Sequence, residues 1–213
     1  MNKQDIQKAL EELKKQPKRK FIQSYDLIIN LKNLVVKSNP VDFFVTLNHP
    51  KGRPVKIAAF VGSELAEQAE KVCDFVITEN DFPKYQKDKK AAKKLAESYD
   101  YFIAQATLMP KVAAAVGRVF GPKGKMPNPK LGCVVPPNAN LEPLMKKLKQ
   151  TVRMRATKAT NLQCMVGKED QPENEIIDNI LTVYTTSVKQ LPNEDQNIKN
   201  TSIKLTMGKP VDI

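Results

Sequence analysis

The chain has 213 residues, 41% of them hydrophobic, which is material for one large or two small cores, and its 35 Lys and Arg against 23 Asp and Glu leave a net charge of +12. That excess points to a polyanionic partner, nucleic acid first and an anionic membrane surface second, beside the plain alternative of a basic protein with neither. Three scattered cysteines without a Cys-x-x-Cys pair and a single His argue against a disulfide framework or a zinc site; no apolar run nears the roughly 18 residues of a membrane span, and the start lacks the apolar core of a signal peptide, so a reducing, cytoplasmic setting is expected.

The basic excess is uneven: residues 1–55 and 56–152 each carry a net +6, and residues 153–213 carry none. Residues 3–15 set Ile6, Leu10 and Leu13 at helical spacing and stop before Pro17. Lys18, Arg19 and Lys20 follow, then predicted strands over 21–31 and 41–47 and a basic, turn-rich loop from His49 to Pro54. From residue 56 the texture changes. Short apolar strands at 56–61, 75–78 and 101–104 alternate with helices at 63–72, 88–98 and 108–120, with Ser63 the expected cap of the first. A further helix, capped by Asn140, is predicted over 141–152. Such alternation predicts βαβ units and a parallel sheet.

The last block returns to longer strands. Those at 152–157 and 162–166 frame a predicted turn at 157–161, with a loop at 167–170. A helix at 173–188 carries Ile176, Ile180 and Val183 on one side, and residues 201–206 alternate as a strand. Neither end of the chain buries a core easily alone. Together they predict a discontinuous α+β terminal domain, residues 1–55 and 153–213, with a four-stranded sheet and two helices. Residues 56–152 form an inserted three-layer α/β Rossmann-like domain, and the two crossings make a double-stranded hinge.

The stretch Gly-Pro-Lys-Gly-Lys-Met-Pro-Asn-Pro-Lys at 121–130 resembles a phosphate loop until its spacing is tested. Only two residues separate Gly121 from Gly124 and Lys125, Met126 stands where a magnesium-binding hydroxyl belongs, and three prolines remove backbone donors. The first βα turn offers Gly62 where a dinucleotide fingerprint wants three glycines. A nucleotide-dependent Rossmann-type enzyme is therefore the disfavoured alternative. His49, in a solvated turn, reads as a surface residue before a general base, and Cys133 as an incidental thiol. Lys89, Lys90, Lys93 and Lys94, like Lys146, Lys147 and Lys149, read as a solvated helix face before a phosphate contact.

Lys20 and Phe21 differ in kind: cations stand directly before an aromatic at the mouth of a strand, as RNA recognition uses them. Ser24 and Asp26 share one strand face and suit 2′-hydroxyls or base edges. The ordinary alternative buries Phe21 in the core for roughly 1.5–3 kcal/mol, and strict alternation sets it opposite Ser24 unless it lies at the strand edge. Thr206, Met207 and Gly208 end the last strand with a hydroxyl, a flexible apolar chain and a bare backbone.

These residues converge on a resemblance over essentially the whole length. The stretch 121–130, Phe102 to Pro110 (FIAQATLMP), Lys20-Phe21-x-Gln23-Ser24 and Lys204 to Gly208 resemble, in order, the large-subunit ribosomal protein L-one family in its archaeal form. The resemblance implies a discontinuous RNA-binding domain with an inserted Rossmann-like one. It carries RNA contacts over to Glu11, Lys20, Phe21, Ser24, Asp26, Gly167, Lys168, Asn200, Thr206, Met207 and Gly208. Asn200 stands where bacterial members have Ser, and the stretch 130–135 mixes bacterial and archaeal features. The implied role is a structural part of the ribosome, binding large-subunit rRNA of the mobile stalk and assisting release of exit-site tRNA. Binding to its own mRNA as a translational repressor is implied as well. No catalytic residue, cofactor or metal is implied, and the free protein is expected to be a monomer.

Overall fold

The computed structural model describes residues 1–36, 39–157 and 159–213. Lys158, inside the turn expected at 157–161, lies outside them. In chain order the elements are α1 (Lys3–Lys14), β1 (Ser24–Leu31), β2 (Val41–Thr46), β3 (Ile57–Val61), α2 (Ser63–Val72), β4 (Phe75–Thr78), α3 (Phe82–Lys87), α4 (Lys89–Ser98), β5 (Tyr101–Gln105), α5 (Met109–Lys123), β6 (Val134–Val135), α6 (Leu141–Gln150), β7 (Thr151–Ala156), β8 (Asn161–Lys168), α7 (Glu173–Gln190), β9 (Ile198–Leu205) and β10 (Val211–Asp212). They fall into two compact units: Met1–Arg53 with Gln150–Ile213, and Pro54–Lys149.

In the terminal unit, β1 alternates half-buried and buried positions, as a strand with one covered face must. It lies between β8 and β9 in an antiparallel sheet of order β10-β9-β1-β8. Tyr25, Leu27 and Ile29 join Ile6, Leu10 and Leu13 of α1 and Ile176, Ile180 and Val183 of α7 in one core. Each such side chain contributes roughly 1.5–3 kcal/mol on burial. The sheet has four strands, but its membership differs from a simple pooling of the predicted ones. β2 pairs with β7 as a separate ribbon, where Arg153 forks onto Asp42 at 2.8 and 2.5 Å. The fourth strand is the two-residue β10, too short to carry a period-2 signal.

In the inserted unit, four parallel strands run in the order β4-β3-β5-β6. Every residue of β3 is buried, as expected of a parallel strand covered on both faces. Phe60, Phe82, Phe102 and Phe120 meet at centroid distances of 4.5–6.1 Å.

Local differences from the sequence expectation have physical causes. The first strand begins at Ser24 rather than residue 21, because Gln23 bonds outside the ladder. β8 runs on through Gly167 and Lys168, which pair with Tyr25 and Ser24, so these two are strand and not loop. Helix α2 is preceded by Gly62, and Ser63 is its first residue, with no side-chain cap bond there. Asn140 does cap α6, accepting the Glu142 N–H at 3.0 Å. Helix α3 has Pro83 in its first turn, where the missing donor costs nothing.

Helix α5 extends through Gly121, Pro122 and Lys123, which therefore form its last turn rather than a loop. It stops at Gly124, whose φ of 63° suits glycine. There the N–H groups of Gly124 and Lys125 return to the carbonyls of Gly121 and Phe120 at 2.9 Å.

Candidate nucleic-acid interface

The residues that imitate a phosphate loop are occupied by the fold. Lys125 turns its ammonium onto the carbonyls of Tyr99 and Asp100, at 3.0 Å each. At the start of α2, where a doubly wound fold would seat a pyrophosphate, the Gly62 N–H is taken by Gln105 Oε1 at 2.8 Å. The buried Gln105 also donates to Glu64 at 3.3 Å. A phosphate there would have to displace the amide and face a carboxylate.

The other candidate lies where β1, β8 and β9 end together. The ladders set Ser24 opposite Lys168, and Asp26 opposite Lys204. Beyond the ladder Gln23, only 2% exposed, joins three segments. Its N–H donates to Glu169 Oε2 at 2.9 Å, its carbonyl accepts the Glu169 N–H at 3.0 Å, and its side-chain oxygen accepts the Met207 N–H at 3.0 Å. The Ser24 N–H donates to Thr206 Oγ1 at 3.1 Å, and the Thr206 N–H returns to the Ser24 carbonyl at 3.1 Å. Gln16 accepts the Lys209 N–H at 2.9 Å and donates to the Lys209 carbonyl at 3.0 Å. A Cβ on Gly208 would stand 2.5 Å from Gln16 Oε1 and 3.0 Å from Leu205 Cβ, so a side chain there would push Gln16 off the Lys209 backbone.

On this frame Phe21 is 52% and Met207 60% exposed. The core alternative for Phe21 therefore fails: it stands outside β1 and faces solvent. Lys18, Arg19 and Lys20 are exposed beside it. Two grooves flank the segment. One, of about 650 Å³, is lined by Lys14, Arg19, Lys20, Phe21, Tyr25 and Glu169 among others. The second, of about 420 Å³, is lined by Gln16, Arg19, Gln23, Met207, Gly208 and Lys209 among others. Cations beside two flexible or flat apolar groups, with hydroxyls between, suit phosphates, a base or ribose face, and 2′-hydroxyls respectively. Partial burial raises the Asp26 carboxyl above its ordinary value, and the Lys204 charge opposite it offsets part of that rise. Burial and the Glu169 charge push the Tyr25 phenol up.

The strand ends thus gather Lys20, Phe21, Ser24, Asp26, Lys168, Thr206, Met207 and Gly208. Gly167 is buried there, where a Cβ would stand 3.0 Å from both Gln171 Oε1 and Ile176 Cγ1, and Lys168 donates its N–H to Gln171 at 2.9 Å. Asn200 is elsewhere. It accepts from Asn30 at 2.9 Å toward the far end of the strands, six residues and roughly 20 Å from Thr206. Glu11 sits on the solvent face of α1 and lines neither groove. Gln16, Gln23 and Glu169 hold the site and were not candidates from sequence. Gln23 had one signal, a place inside the Lys20-to-Ser24 motif.

The remaining candidates carry no such arrangement. His49 is held by its backbone, its N–H donating to Asn179 Oδ1 at 3.0 Å, with the imidazole 3.8 Å from Asp178. Burial pushes the Cys73 and Cys133 thiols up to about 11 and Cys164 to about 12, which disfavours thiolate chemistry. Among the described residues no group of three or more His, Cys, Asp or Glu could hold a metal ion, and no helix is long and apolar enough to cross a membrane.

Comparison with known proteins agrees in kind across nearly the full length. A model of the ribosomal protein L1p/L10e family matches residues 13–209. Large ribosomal subunit protein uL1 of Nanoarchaeum equitans is 41% identical over 198 residues, covering 91% of this chain and 92% of the relative. The same-named proteins of Hyperthermus butylicus and Thermoplasma acidophilum are each 39% identical, covering 98% and 100% of this chain and 95% and 97% of the relatives. With the match spanning both units and every motif singled out above except Glu11, the chain belongs to the ribosomal protein L1p/L10e family.

Proposed function

We propose that the chain is a structural protein of the large ribosomal subunit that grips a folded segment of large-subunit rRNA with the strand ends of its terminal unit. The terminal unit is the RNA-binding domain, and residues 54–149 are an insertion into it. Lys18, Arg19 and Lys20 neutralise phosphates. Phe21 and Met207 pack against a base or ribose, and Ser24, Asp26 and Thr206 read 2′-hydroxyls or base edges. The bound rRNA is the mobile stalk beside the exit site, where the protein assists release of deacylated tRNA. A like fold in its own mRNA would let the free cytoplasmic monomer repress translation. The family consists of ribosomal proteins, and the chain is not an enzyme.

The observation that carries this reading is the paired exchange between Ser24 and Thr206, which sets the cationic arm and the Thr-Met-Gly turn side by side. The test is titration of the full chain with a stalk rRNA fragment, with ATP and with NAD. Saturable, salt-sensitive RNA binding without nucleotide binding is expected. Nucleotide binding without RNA binding would reverse the conclusion.

A further inference from the structure

The inserted unit carries an aromatic stack whose outer ring lies outside the buried phenylalanine cluster. Phe75 stands on the edge strand β4, 39% exposed, and stacks on Tyr99 at 5.6 Å with the rings 21° apart. Tyr99 in turn meets the buried Phe102 edge-on at 6.2 Å. The row runs from solvent into the core, so the outer ring is held rigid from behind.

Beside it is a hollow of about 270 Å³ lined by Phe75, Lys84, Tyr85, Lys94, Ser98 and Tyr99 among others. That is below the roughly 300–1,000 Å³ of a drug-sized ligand site and suits one flat ring. Lys84 and Lys94 bring two cationic side chains to its lining. From residue 82 to 98 six lysines stand against two acids, and both acids are engaged. Asp88 accepts the N–H groups of Lys90 and Ala91 at 2.8 and 3.2 Å, and Glu97 pairs with Lys123 at 2.7 Å.

We infer that this platform binds an unpaired nucleotide of single-stranded RNA, the base stacking on the outer face of Phe75 and the flanking phosphates meeting Lys84 and Lys94. Positive charge alone would serve an acidic peptide equally. The open, flat, pre-set ring selects a base, because every base has a π-face and an acidic side chain has none. The site is separate from the strand-end interface of the terminal unit and would act by adding a second, sequence-tolerant hold on the same or a neighbouring RNA.

The chain has no tryptophan, so Phe75→Trp gives a sole tryptophan, excited selectively over the tyrosines, at an exposed position. Titrating the full Phe75→Trp chain with an eight-nucleotide oligoadenylate should quench its emission saturably, with affinity falling as salt rises. Adding Lys84→Ser and Lys94→Ser should weaken binding about tenfold and cut the salt slope by roughly 1.4, about 0.7 for each single-strand phosphate. Adding Thr206→Ala instead should leave the quench unchanged. Circular dichroism confirms that each variant is folded. No quench, a quench indifferent to the two lysines, or equal quenching by polyglutamate, which would mark an acidic-peptide surface, would each overturn the inference.

Discussion

In the inserted unit the polar ties are short in sequence, whereas in the terminal unit they span nearly the whole chain. Gln105 reaches back 43 residues to Gly62, and Lys125 reaches 26 to Tyr99. At the strand-end interface the bonds join residues 146, 182, 184 and 193 positions apart. The cores differ in the same sense. The inserted one is built on four phenylalanines, and the terminal one is almost wholly aliphatic between α1, α7 and the sheets. The proposed site, made where the two chain ends meet, calls for the whole terminal unit to fold and, on that proposal, for none of the insertion. The seam permits removal: the Leu47 N–H bonds the Gln150 carbonyl at 3.0 Å, and Lys51 reaches the Thr151 carbonyl at 3.2 Å, so the ends left by excision lie together.

Excision is accordingly the strongest way to break the comparison. Residues 1–53 joined by a short linker to 150–213 should fold and keep stalk RNA affinity within about threefold. Residues 54–149 alone should lose specific binding by about a thousandfold, roughly 4 kcal/mol. Filter binding of both pieces against one rRNA fragment measures this, and a folded terminal piece that fails to bind refutes the site. Next in size is Gln23→Leu. It removes the acceptor of the Met207 N–H at a position 2% exposed, so the amide is left unsatisfied. Urea unfolding should show a loss of about 1–3 kcal/mol, and RNA affinity should fall with it as the Thr206-to-Gly208 turn loosens.

That second variant marks where sequence reading ran out. The strands β3 and β4 were legible as short apolar runs between helices, and the stripe of α1 and the bounds of α2 because each rests on a local period with a change of texture at its ends. On the strand-end site, the shared face of Ser24 and Asp26 was legible for the same reason. Gln23, Gln16 and Glu169 were not, because a single polar residue carries no signal of a partner 146 to 193 positions away. The exposure of Phe21 was undecidable from alternation, since the strand stops at Ser24 and alternation with it. Helix α3 hid behind Pro83, which reads as a breaker although a first-turn proline is no obstacle. The stretch 121–130 was conspicuous for its composition, and that composition ends a helix and fixes Lys125.

Thr206→Ala and Phe21→Ala should each cost about tenfold in specific RNA affinity, about 1.4 kcal/mol. Neither removes a charge, so the salt dependence should stay as it is. Lys20→Ala, by contrast, should lower the slope by roughly 0.7–0.9. Titrations at four salt concentrations separate the two classes, and a slope change for Thr206→Ala would mean that the turn acts by displacing a cation.

Smaller still is the effect of Asp26 on stability. Its carboxyl is raised in the folded state, so the fold holds its proton more tightly than the unfolded chain does. Protonation therefore favours the fold, and that stabilisation is lost as pH rises through the raised folded value. Asp26→Asn should raise Tm at pH 7 by a few degrees at most and leave it nearly unchanged at pH 3, below the ordinary carboxylate value. Calorimetry at the two pH values reads the difference directly, and a Tm gain of equal size at both would assign the effect to packing.

Lys89→Ala sets the floor of the comparison. Lys89 is the first residue of α4, next to the Asp88 cap, where a cation opposes the positive end of the helix dipole. Its removal should leave stability equal or higher by about 0.3–1 kcal/mol, the usual size of such a term. It should leave stalk RNA affinity unchanged, because the residue is exposed on the inserted unit and lines neither strand-end groove. Nor does it line the Phe75 hollow, so the oligoadenylate quench should be equally indifferent to it. A loss of stalk affinity as large as that of Thr206→Ala would move the main interface onto α4. A loss confined to the quench would instead widen the second site along that helix while leaving the terminal unit's site where the two chain ends meet.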